Sequence, residues 1–190
     1  MKKIMFNDAY GLTQATIEGR KTMTRRLISP KLGTPVEDDN FDEAAFKALC
    51  CEFAQYKVGE VVAVAQSYER IHDEICKTSR YDGLYGVLIN TAGWRNKMFV
   101  KAELMPHRIR ITGIHVERLQ DISNVDCIRE GISYEPNSAF TEYVVQCDTG
   151  MICLGKLPRI AFAALIDKVS GRGTWASNPW VVAYEYELVK

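Results

Sequence analysis

The sequence predicts a single α+β domain in which about five or six strands curl into a barrel and helices pack outside it. Three patterns support this fold class. Residues 61–65 form a short valine-rich run typical of a buried strand, Pro158–Ser170 carries an amphipathic helical pattern, and Trp180–Val189 alternates with a period of two. The chain has 190 residues, 47% of them hydrophobic, which suffices for one core with elaborations.

The N-terminal region predicts a strand followed by a short helix. Residues 2–6 are apolar and extended in character, and residues 11–18 carry apolar side chains suited to one or two helical turns. Thr13 is the predicted N-cap of this helix, and Gly19 is placed to end it. We therefore expect the basic segment that follows Gly19 to begin in a bend.

A second helix and a buried strand are predicted next. Residues 38–56 place apolar side chains near helical spacing, and the Asp-Asp-Asn run at 38–40 supplies candidate helix starters. The turn at 58–60 then leads into the strand at 61–65. Glycines interrupt aromatic and branched residues at 81–93, which favours a hairpin or an irregular loop over a helix.

The central part of the chain predicts two strands and a capped helix. Residues 99–104 and 108–119 are the predicted strands, and Gly113 interrupts the second of them as a candidate bulge. Ser123 is a suitable N-cap for a short helix that Gly131 is placed to end. The helix Pro158–Ser170 and a closing strand complete the predicted domain.

The overall composition argues against a long nucleic-acid duplex as the partner. The 24 basic and 24 acidic residues cancel, so a small molecule or a single nucleotide fits the charge balance better. The N-terminus has no apolar run long enough for a signal peptide or a membrane span, and we predict a cytoplasmic protein with reduced cysteines. Residues 72–76 hold the only local group of metal-ligand types, and we predict neither a metal nor a cofactor.

The most informative motif lies at residues 19–26, Gly-Arg-Lys-Thr-Met-Thr-Arg-Arg, where four cations and two hydroxyls fall within eight residues. This density of hydrogen-bond donors indicates an anion or nucleotide site. A lysine near a threonine hydroxyl also fits a base beside a nucleophile, because an alcohol attacks only when a neighbouring group accepts its proton. The alternative interpretation is a solvated basic face.

This motif is one part of a longer sequence pattern, whose other parts are spread along the chain. They are residues 5–12, 119–123, 129–131, 162–165, 171–175, 178–182 and 184–187. Together with residues 19–26 they resemble an ASCH domain of the phage and bacterial type, which is a branch of the PUA-like superfamily and implies a PUA-like barrel. The resemblance leaves residues 29–55, 68–95 and 133–157 unmatched, and we interpret these as insertions.

The resemblance implies either binding of RNA or a nucleotide or, as in one bacterial subgroup, hydrolysis of the acetyl amide of N4-acetylcytidine. The subgroup motif Gly-Arg-Lys-Thr-x-Thr-x-Arg implies Lys21 and Thr24 as catalytic residues. Its glutamate, the last residue of an Ala-x-x-Glu pattern, corresponds to Glu130, with Cys127 at the alanine position. The implied roles are nucleophile for Thr24, base for Lys21, and orientation or proton transfer for Glu130.

Electrostatics decides whether Lys21 can act as that base. Burial and the neighbouring arginines lower the pKa of a lysine, whereas Glu130 raises it by favouring the ammonium form. The structural alternative is an ion pair between Lys21 and Glu130 that closes the barrel mouth, with Thr24 hydrogen-bonded to the backbone.

Ligand contacts are expected from the other polar residues of the motif and from one tryptophan. Extra arginines favour phosphate groups, and Trp175 with Arg172 is the predicted base-stacking surface, whereas Trp180 is assigned to the core. The expected ligand-binding residues are Arg20, Thr22, Arg25, Arg26, Trp175 and Arg172. The leading hypothesis is binding of RNA or a modified nucleoside or nucleotide. The alternatives are an amidohydrolase and a protein-interaction module built on the insertions.

Overall fold

The computed structural model describes residues 1–28, 35, 41–77, 84–136 and 142–189, and within them the chain is a mixed α+β structure with eight strands in two sheets and seven helices. The strands are β1 (Lys3–Ile4), β2 (Met23–Leu27), β3 (Val61–Val64), β4 (Arg108–Arg118), β5 (Ser133–Glu135), β6 (Glu142–Cys147), β7 (Gly150–Gly155) and β8 (Trp180–Val189). The helices are α1 (Leu12–Ile17), α2 (Glu43–Glu52), α3 (Tyr68–Lys77), α4 (Leu84–Leu88), α5 (Asn124–Arg129), α6 (Pro158–Ser170) and α7 (Thr174–Ser177).

The larger sheet has five strands in the order β1-β3-β4-β8-β2. The β1–β3 pair is parallel and the other three pairs are antiparallel. Strands β1 and β2 form the two edges, so the strands of the described ranges do not close into a barrel ladder. The Arg26 side chain reaches from β2 to the residue after β1, because its Nη2 donates to the carbonyl oxygen of Met5 at 2.6 Å.

Several predicted elements are confirmed. Strand β4 has a register irregularity between Ile111 and Gly113, as expected for a bulge at that glycine. The Ser123 side chain accepts a hydrogen bond from the Asp126 backbone N–H and caps α5, and Gly131 follows the end of that helix. Helix α6 and strand β8 have the predicted bounds.

Two predicted helix caps are wrong. Thr13 lies inside α1, which starts after Gly11, and its hydroxyl donates to Asp8 instead of capping the helix. The N-cap of α2 is Asp42, whose carboxylate accepts from the Ala45 N–H at 2.9 Å. The proposed starters at 38–40 lie outside the described residues.

The predictions for residues 81–104 are also wrong. Helix α4 lies where a hairpin or irregular loop was expected. Residues 81–83, which precede this helix, are outside the described residues. The expected strand at 99–104 is replaced by two short 3₁₀ turns, Lys97–Phe99 and Ala102–Leu104. Ala102 and Leu104 of the second turn pack into a second core with α3 and α4, so tertiary packing overrides the local strand pattern.

The smaller sheet, β5-β6-β7, is formed by the third predicted insertion. It packs on α6 through β7 and on α1 through β6. The contact between β6 and the start of α1 is so close that a Cβ added to Gly11 would lie 1.7 Å from the Gln146 carbonyl oxygen. The same glycine has a φ of 62°, a left-handed conformation that favours glycine. The start of α1 therefore serves as the docking point of the smaller sheet.

The main core lies between the larger sheet and helices α2 and α6. Trp180 is buried in it, as predicted, and Phe41 and Phe46 pack on its ring with centroid distances of 6.5 and 5.4 Å. The five cysteines whose side chains are described are free thiols. Among the helices of the described ranges, none has the length and apolarity needed to cross a bilayer.

Candidate functional site

A cavity of about 390 Å³ lies where β2, the segment after β1 and helix α6 meet. The polar residues of its wall are Asn7, Lys21, Thr24, Arg25, Arg26, Gln55, Glu130 and Ser170. The apolar residues of its wall are Met5, Phe6, Leu12, Leu27, Phe162, Leu165, Ile166 and Val169. Its volume falls within the range of about 300–1,000 Å³ that is usual for small-molecule sites.

The bend predicted after α1 brings the motif residues to this cavity. Gly19 has a φ of 75° and ends the helix. The Lys21 N–H then donates to the Ala15 carbonyl at 2.9 Å, and the Thr22 N–H donates to the Arg129 carbonyl at 2.8 Å. Residue 21 therefore precedes β2 instead of belonging to it. Lys21 and Thr24 are not forced onto opposite faces of one strand, and both line the cavity.

The Lys21 ammonium is fully coordinated by oxygen atoms. Its Nζ donates to the Met23 carbonyl at 2.7 Å, to the Glu130 carbonyl at 2.9 Å and to Glu130 Oε2 at 2.6 Å. Only 2% of the Lys21 side chain is exposed. Gly131 has a φ of 100°, and a Cβ on it would lie 3.3 Å from the Cβ and Cδ of Lys21. The end of α5 thus supplies both the carboxylate and the space for this lysine.

Burial lowers the pKa of Lys21 below its ordinary value, and the charges of Arg26 and Arg25 act in the same direction. The charge of Glu130 and its hydrogen bond oppose this shift without cancelling it. The sequence left the balance between these opposing effects open, and in the packed protein burial is the larger of them. Three oxygen acceptors nevertheless surround the amine, and a neutral Lys21 has only two protons to donate to them.

Arg25 joins the same buried cluster. Its Nη1 donates to Glu130 Oε1 at 3.1 Å and its Nε donates to Glu117 Oε1 at 2.6 Å. Arg25 Nη2 is buried without a hydrogen bond to the described residues and lies 3.6 Å from Asp126 Oδ2. Burial would raise the pKa of Glu117, but a hydrogen bond from His115 and the charge of Arg25 lower it overall.

Arg26 contributes a positive charge with no carboxylate partner among the described residues. Besides the bond from its Nη2 to Met5, its guanidinium lies 5.7 Å from the centre of the Phe6 ring. Lys21 Nζ lies at the same distance from that ring. Arg26 Nε is buried, and within the described ranges it has no hydrogen-bond partner. Arg26 is also one of the residues that line the cavity.

Thr24 is 95% buried in β2, opposite Tyr184 of β8, and its side chain lines the cavity. Its hydroxyl makes no hydrogen bond with the residues described. Of the structural alternative, the ion pair between Lys21 and Glu130 is therefore present, but the hydrogen bond from Thr24 to the backbone is not. Two of the predicted ligand-binding residues, Thr22 and Arg20, do not line the cavity. Thr22 Oγ1 accepts from Arg129 Nε at 3.3 Å, and Arg20 Nε donates to Glu18 at 2.7 Å outside the cavity.

The predicted stacking surface is not part of this cavity. Trp175 lies on α7, half-buried, with its ring edge-on to Phe162 at a centroid distance of 6.1 Å. The Arg159 guanidinium lies 5.4 Å from its centre. Arg172 is exposed and lies apart from the cavity wall. Phe162 of α6, and not Trp175, presents an aromatic ring to the cavity.

The sequence interpretation missed several residues of the site. Phe6 and Asn7 lie inside the matched N-terminal stretch, but nothing in their spacing singled them out. Glu117 is 92 residues from Arg25 in sequence. Its only local signal was the His115-x-Glu117 spacing, which places both side chains on one face of a strand. Of the candidate metal group at 72–76, the side chains of residues 73–76 lie outside the described part. Among the side chains that are described, no three His, Cys, Asp or Glu residues come together as a metal site.

Comparison of the chain with protein-family models, curated proteins and solved structures gives no match in any of the three.

Proposed function

We propose that the cavity binds a single nucleobase, carried by a nucleoside, a nucleotide or an unpaired position of RNA. The observation that carries the proposal is that the cavity wall combines cationic, hydrogen-bonding side chains with apolar ones. A flat base needs both, because its edge carries donors and acceptors whereas its faces are apolar. The apolar residues of α6 and the Phe6 ring suit the faces.

Arg26 is the residue best suited to recognise the polar edge of the ligand or its phosphate. Its buried Nε has no partner within the described ranges, and a buried donor without a partner costs about 1–3 kcal/mol. A carbonyl or phosphate oxygen would remove that cost, and a guanidinium presents its donors in a geometry that matches such oxygens. Arg26 is therefore expected to contribute to affinity more than Arg20 or Arg172.

The proposal includes a PUA-like barrel as the fold of the larger sheet. The larger sheet brings its edges β1 and β2 close enough for Arg26 to span them. This arrangement supports a PUA-like barrel that is incomplete at one seam, with the ligand cavity at that seam. The resemblance to ASCH domains remains the reason for expecting RNA or nucleosides and not another planar ligand.

Hydrolysis of an acetylated exocyclic amine is the second candidate function. It is favoured by the lowered pKa of Lys21 and by the Thr24 hydroxyl, which lines the cavity without a hydrogen bond to the described residues. A neutral Lys21 would take the proton of Thr24 Oγ as that oxygen bonds to the amide carbonyl carbon. The proton would leave with the released amine, and water would then cleave the acyl ester to give acetate and free Thr24.

The contacts of Lys21 favour ligand binding over catalysis as the function of the cavity. Three oxygen atoms within 2.9 Å of Nζ stabilise the ammonium form, which cannot accept a proton. A protein-interaction module is the third hypothesis, and it depended on an apolar patch of Phe41, Phe46 and Phe53. Only Phe53 of these is exposed, because the other two pack near Trp180.

Calorimetric titration with cytidine, cytidine monophosphate, N4-acetylcytidine and a short single-stranded RNA tests the proposal. We expect Arg26→Gln to weaken binding by about tenfold or more, since a hydrogen bond to a charged group contributes about 1.5–3 kcal/mol. Arg110→Gln is the matched control, because Arg110 forms an exposed pair with Glu187 away from the cavity. Binding that is unchanged in Arg26→Gln, or absent for every probe, would contradict the proposal.

The same samples distinguish binding from hydrolysis. Chromatography of the N4-acetylcytidine mixture would detect released cytidine, and turnover lost in both Lys21→Ala and Glu130→Ala would establish the catalytic alternative. Binding without turnover would leave the nucleobase proposal as it stands. For RNA, affinity that falls as salt rises is expected if phosphates are also contacted.

A further inference from the structure

A row of side chains across three strands connects the cavity with the protein surface. Arg25 on β2 and His115 on β4 both lie opposite Ala183 on β8, so the three side chains point to the same face of the sheet. Ala183 has only a methyl group, which leaves room for Arg25 to reach across it towards β4. There it meets Glu117, two residues after His115, on the same face.

The contacts along this row are continuous. His115 Nε2 lies 3.3 Å from Glu117 Oε2, and the other Glu117 oxygen accepts from Arg25. Arg25 holds Glu130 Oε1, whereas Glu130 Oε2 accepts from Lys21. Side-chain exposure falls from 41% at His115 to 18% at Glu117 and 1% at Arg25. The row therefore runs from solvent into the buried wall of the cavity.

Two carboxylates fix the orientation of the Arg25 guanidinium. Glu117 accepts from Nε on one side and Glu130 accepts from Nη1 on the other. Asp126 is the third carboxylate nearby, but at 3.6 Å from Nη2 it makes no hydrogen bond. Since a guanidinium is planar, loss of the Glu117 contact would free it to turn, and Glu130 would lose its fixed position beside Lys21.

His115 introduces a charge that depends on pH. Its hydrogen bond with Glu117 raises the pKa of His115 above the ordinary value, against the opposing effect of its partial burial. The other charges that face it are Arg25 on β2, which lowers the pKa, and Glu185 on β8, which raises it. Glu185 is itself paired with Arg129 at 2.8 Å. Protonation of His115 therefore places a second positive charge beside Glu117, whose other oxygen already accepts from Arg25.

We propose that Glu117 is a positioning residue of the cavity: it holds Arg25 so that Arg25 fixes Glu130 against Lys21, and His115 makes this hold depend on pH. The consequence for a ligand rests on the proposed function. The contacts themselves can be tested in the protein without any ligand.

Nuclear magnetic resonance of the ligand-free protein tests this assignment. The Lys21 Cε and Arg25 Nε signals are followed across pH and assigned through Lys21→Arg and Arg25→Lys. Glu117→Gln keeps an oxygen acceptor and removes the charge that balances Arg25. We expect the pKa of Lys21 to fall by about half a unit or more in this variant, because one more uncompensated positive charge lies near it. Glu187→Gln is the matched control, since Glu187 belongs to an exposed pair.

The unaltered protein provides a second measurement. The Arg25 Nε signal should change with the midpoint of His115, because protonated His115 weakens the Glu117 contact. The proposal is overturned if the Lys21 pKa in Glu117→Gln equals that of the control, or if the Arg25 signal stays constant through the His115 transition. Should Glu117→Gln fail to fold, the titration of the unaltered protein decides alone. Failure to bind nucleosides would leave this result unaffected.

Discussion

Lys21 is a buried lysine and Lys97 is a half-buried one. Both pair with a carboxylate near a threonine, and both contact Phe6. Lys97 Nζ lies 2.7 Å from Asp8 Oδ1 and donates to Thr13 Oγ1 at 3.2 Å and to the Phe6 carbonyl. Lys21 pairs with Glu130 and lies over the Phe6 ring. Burial lowers the pKa of both lysines.

The two clusters differ in how their threonines are used. The Thr13 hydroxyl donates to Asp8 and accepts from Lys97, so each polar group of that cluster has its partner inside the cluster. The Thr24 hydroxyl has no hydrogen bond to the described residues and lines a cavity. Residue types alone therefore do not identify a ligand site. The free hydroxyl of Thr24 beside a cavity is the feature that separates our proposed ligand site from the Lys97 cluster within the described ranges.

The largest expected effect is on stability, from loss of the shared carboxylate. Glu130→Ala leaves the buried charges of Lys21 and Arg25 without their common acceptor, and we expect it to lower the free energy of unfolding by about 3–5 kcal/mol. Asp8→Ala should cost less, about 1–2 kcal/mol, because the Asp8 side chain is 34% exposed.

Urea unfolding followed by circular dichroism measures both values. Glu187→Ala serves as a control and should change stability by less than about 0.5 kcal/mol, because its pair with Arg110 is exposed. Equal costs for Glu130→Ala and Asp8→Ala would show that the two clusters are energetically alike.

A smaller effect separates the two threonines. Thr13→Val removes a hydroxyl that contacts Asp8, Lys97 and the Phe6 carbonyl, and it should cost about 1–2 kcal/mol, since Asp8 and Lys97 each lose a part-buried contact. Thr24→Val removes a hydroxyl that lacks a partner among the described residues, and valine suits a strand, so the change should stay within about 0.5 kcal/mol. Thermal unfolding measures the two variants side by side. A large loss in Thr24→Val would mean that this hydroxyl is structural.

The smallest expected effect is on the pH dependence of stability. The lysine pKa is 10.5 in the unfolded chain and lower for folded Lys21, so below 10.5 the unfolded state binds more protons than the folded state. The free energy of unfolding should therefore rise with pH across this window as far as Lys21 is concerned.

The difference between the unaltered protein and Lys21→Met isolates this contribution, because the other titrating groups are common to both. Lys97→Met should remove a smaller part of the rise, since 17% of the Lys97 side chain is exposed. Unfolding in urea at intervals from neutral pH to 10.5 provides the values. A slope unchanged by Lys21→Met would mean that the folded pKa of this lysine is not lowered.

The elements that the sequence predicted correctly carry local signals. Ser123 and Gly131 mark the ends of α5 by capping chemistry, and Gly113 marks the β4 bulge. The region around residues 99–104 fails for the converse reason: its apolar spacing suits a strand, but no strand partner exists for it within the described ranges. Its backbone forms local turns instead, with the Leu104 N–H donating to the Lys101 carbonyl.

The site was predictable only in part. Lys21, Thr24 and Glu130 were identified through the motif resemblance, and the structure brings them to one cavity. The Arg25–Glu117 pair and the Lys97 cluster join residues 84 to 92 positions apart, and no spacing along the chain signals such contacts. The burial that lowers the pKa of Lys21 is likewise a property of the packed molecule.

Gly131 links two features that sequence comparison would treat separately. It ends α5, and the volume that a methyl group would occupy there lies against the aliphatic stem of Lys21. A residue with a side chain at this position would be strained in its backbone and would also press on the lysine. A substitution at Gly131 is therefore expected to affect both the end of α5 and the position of the Lys21 ammonium.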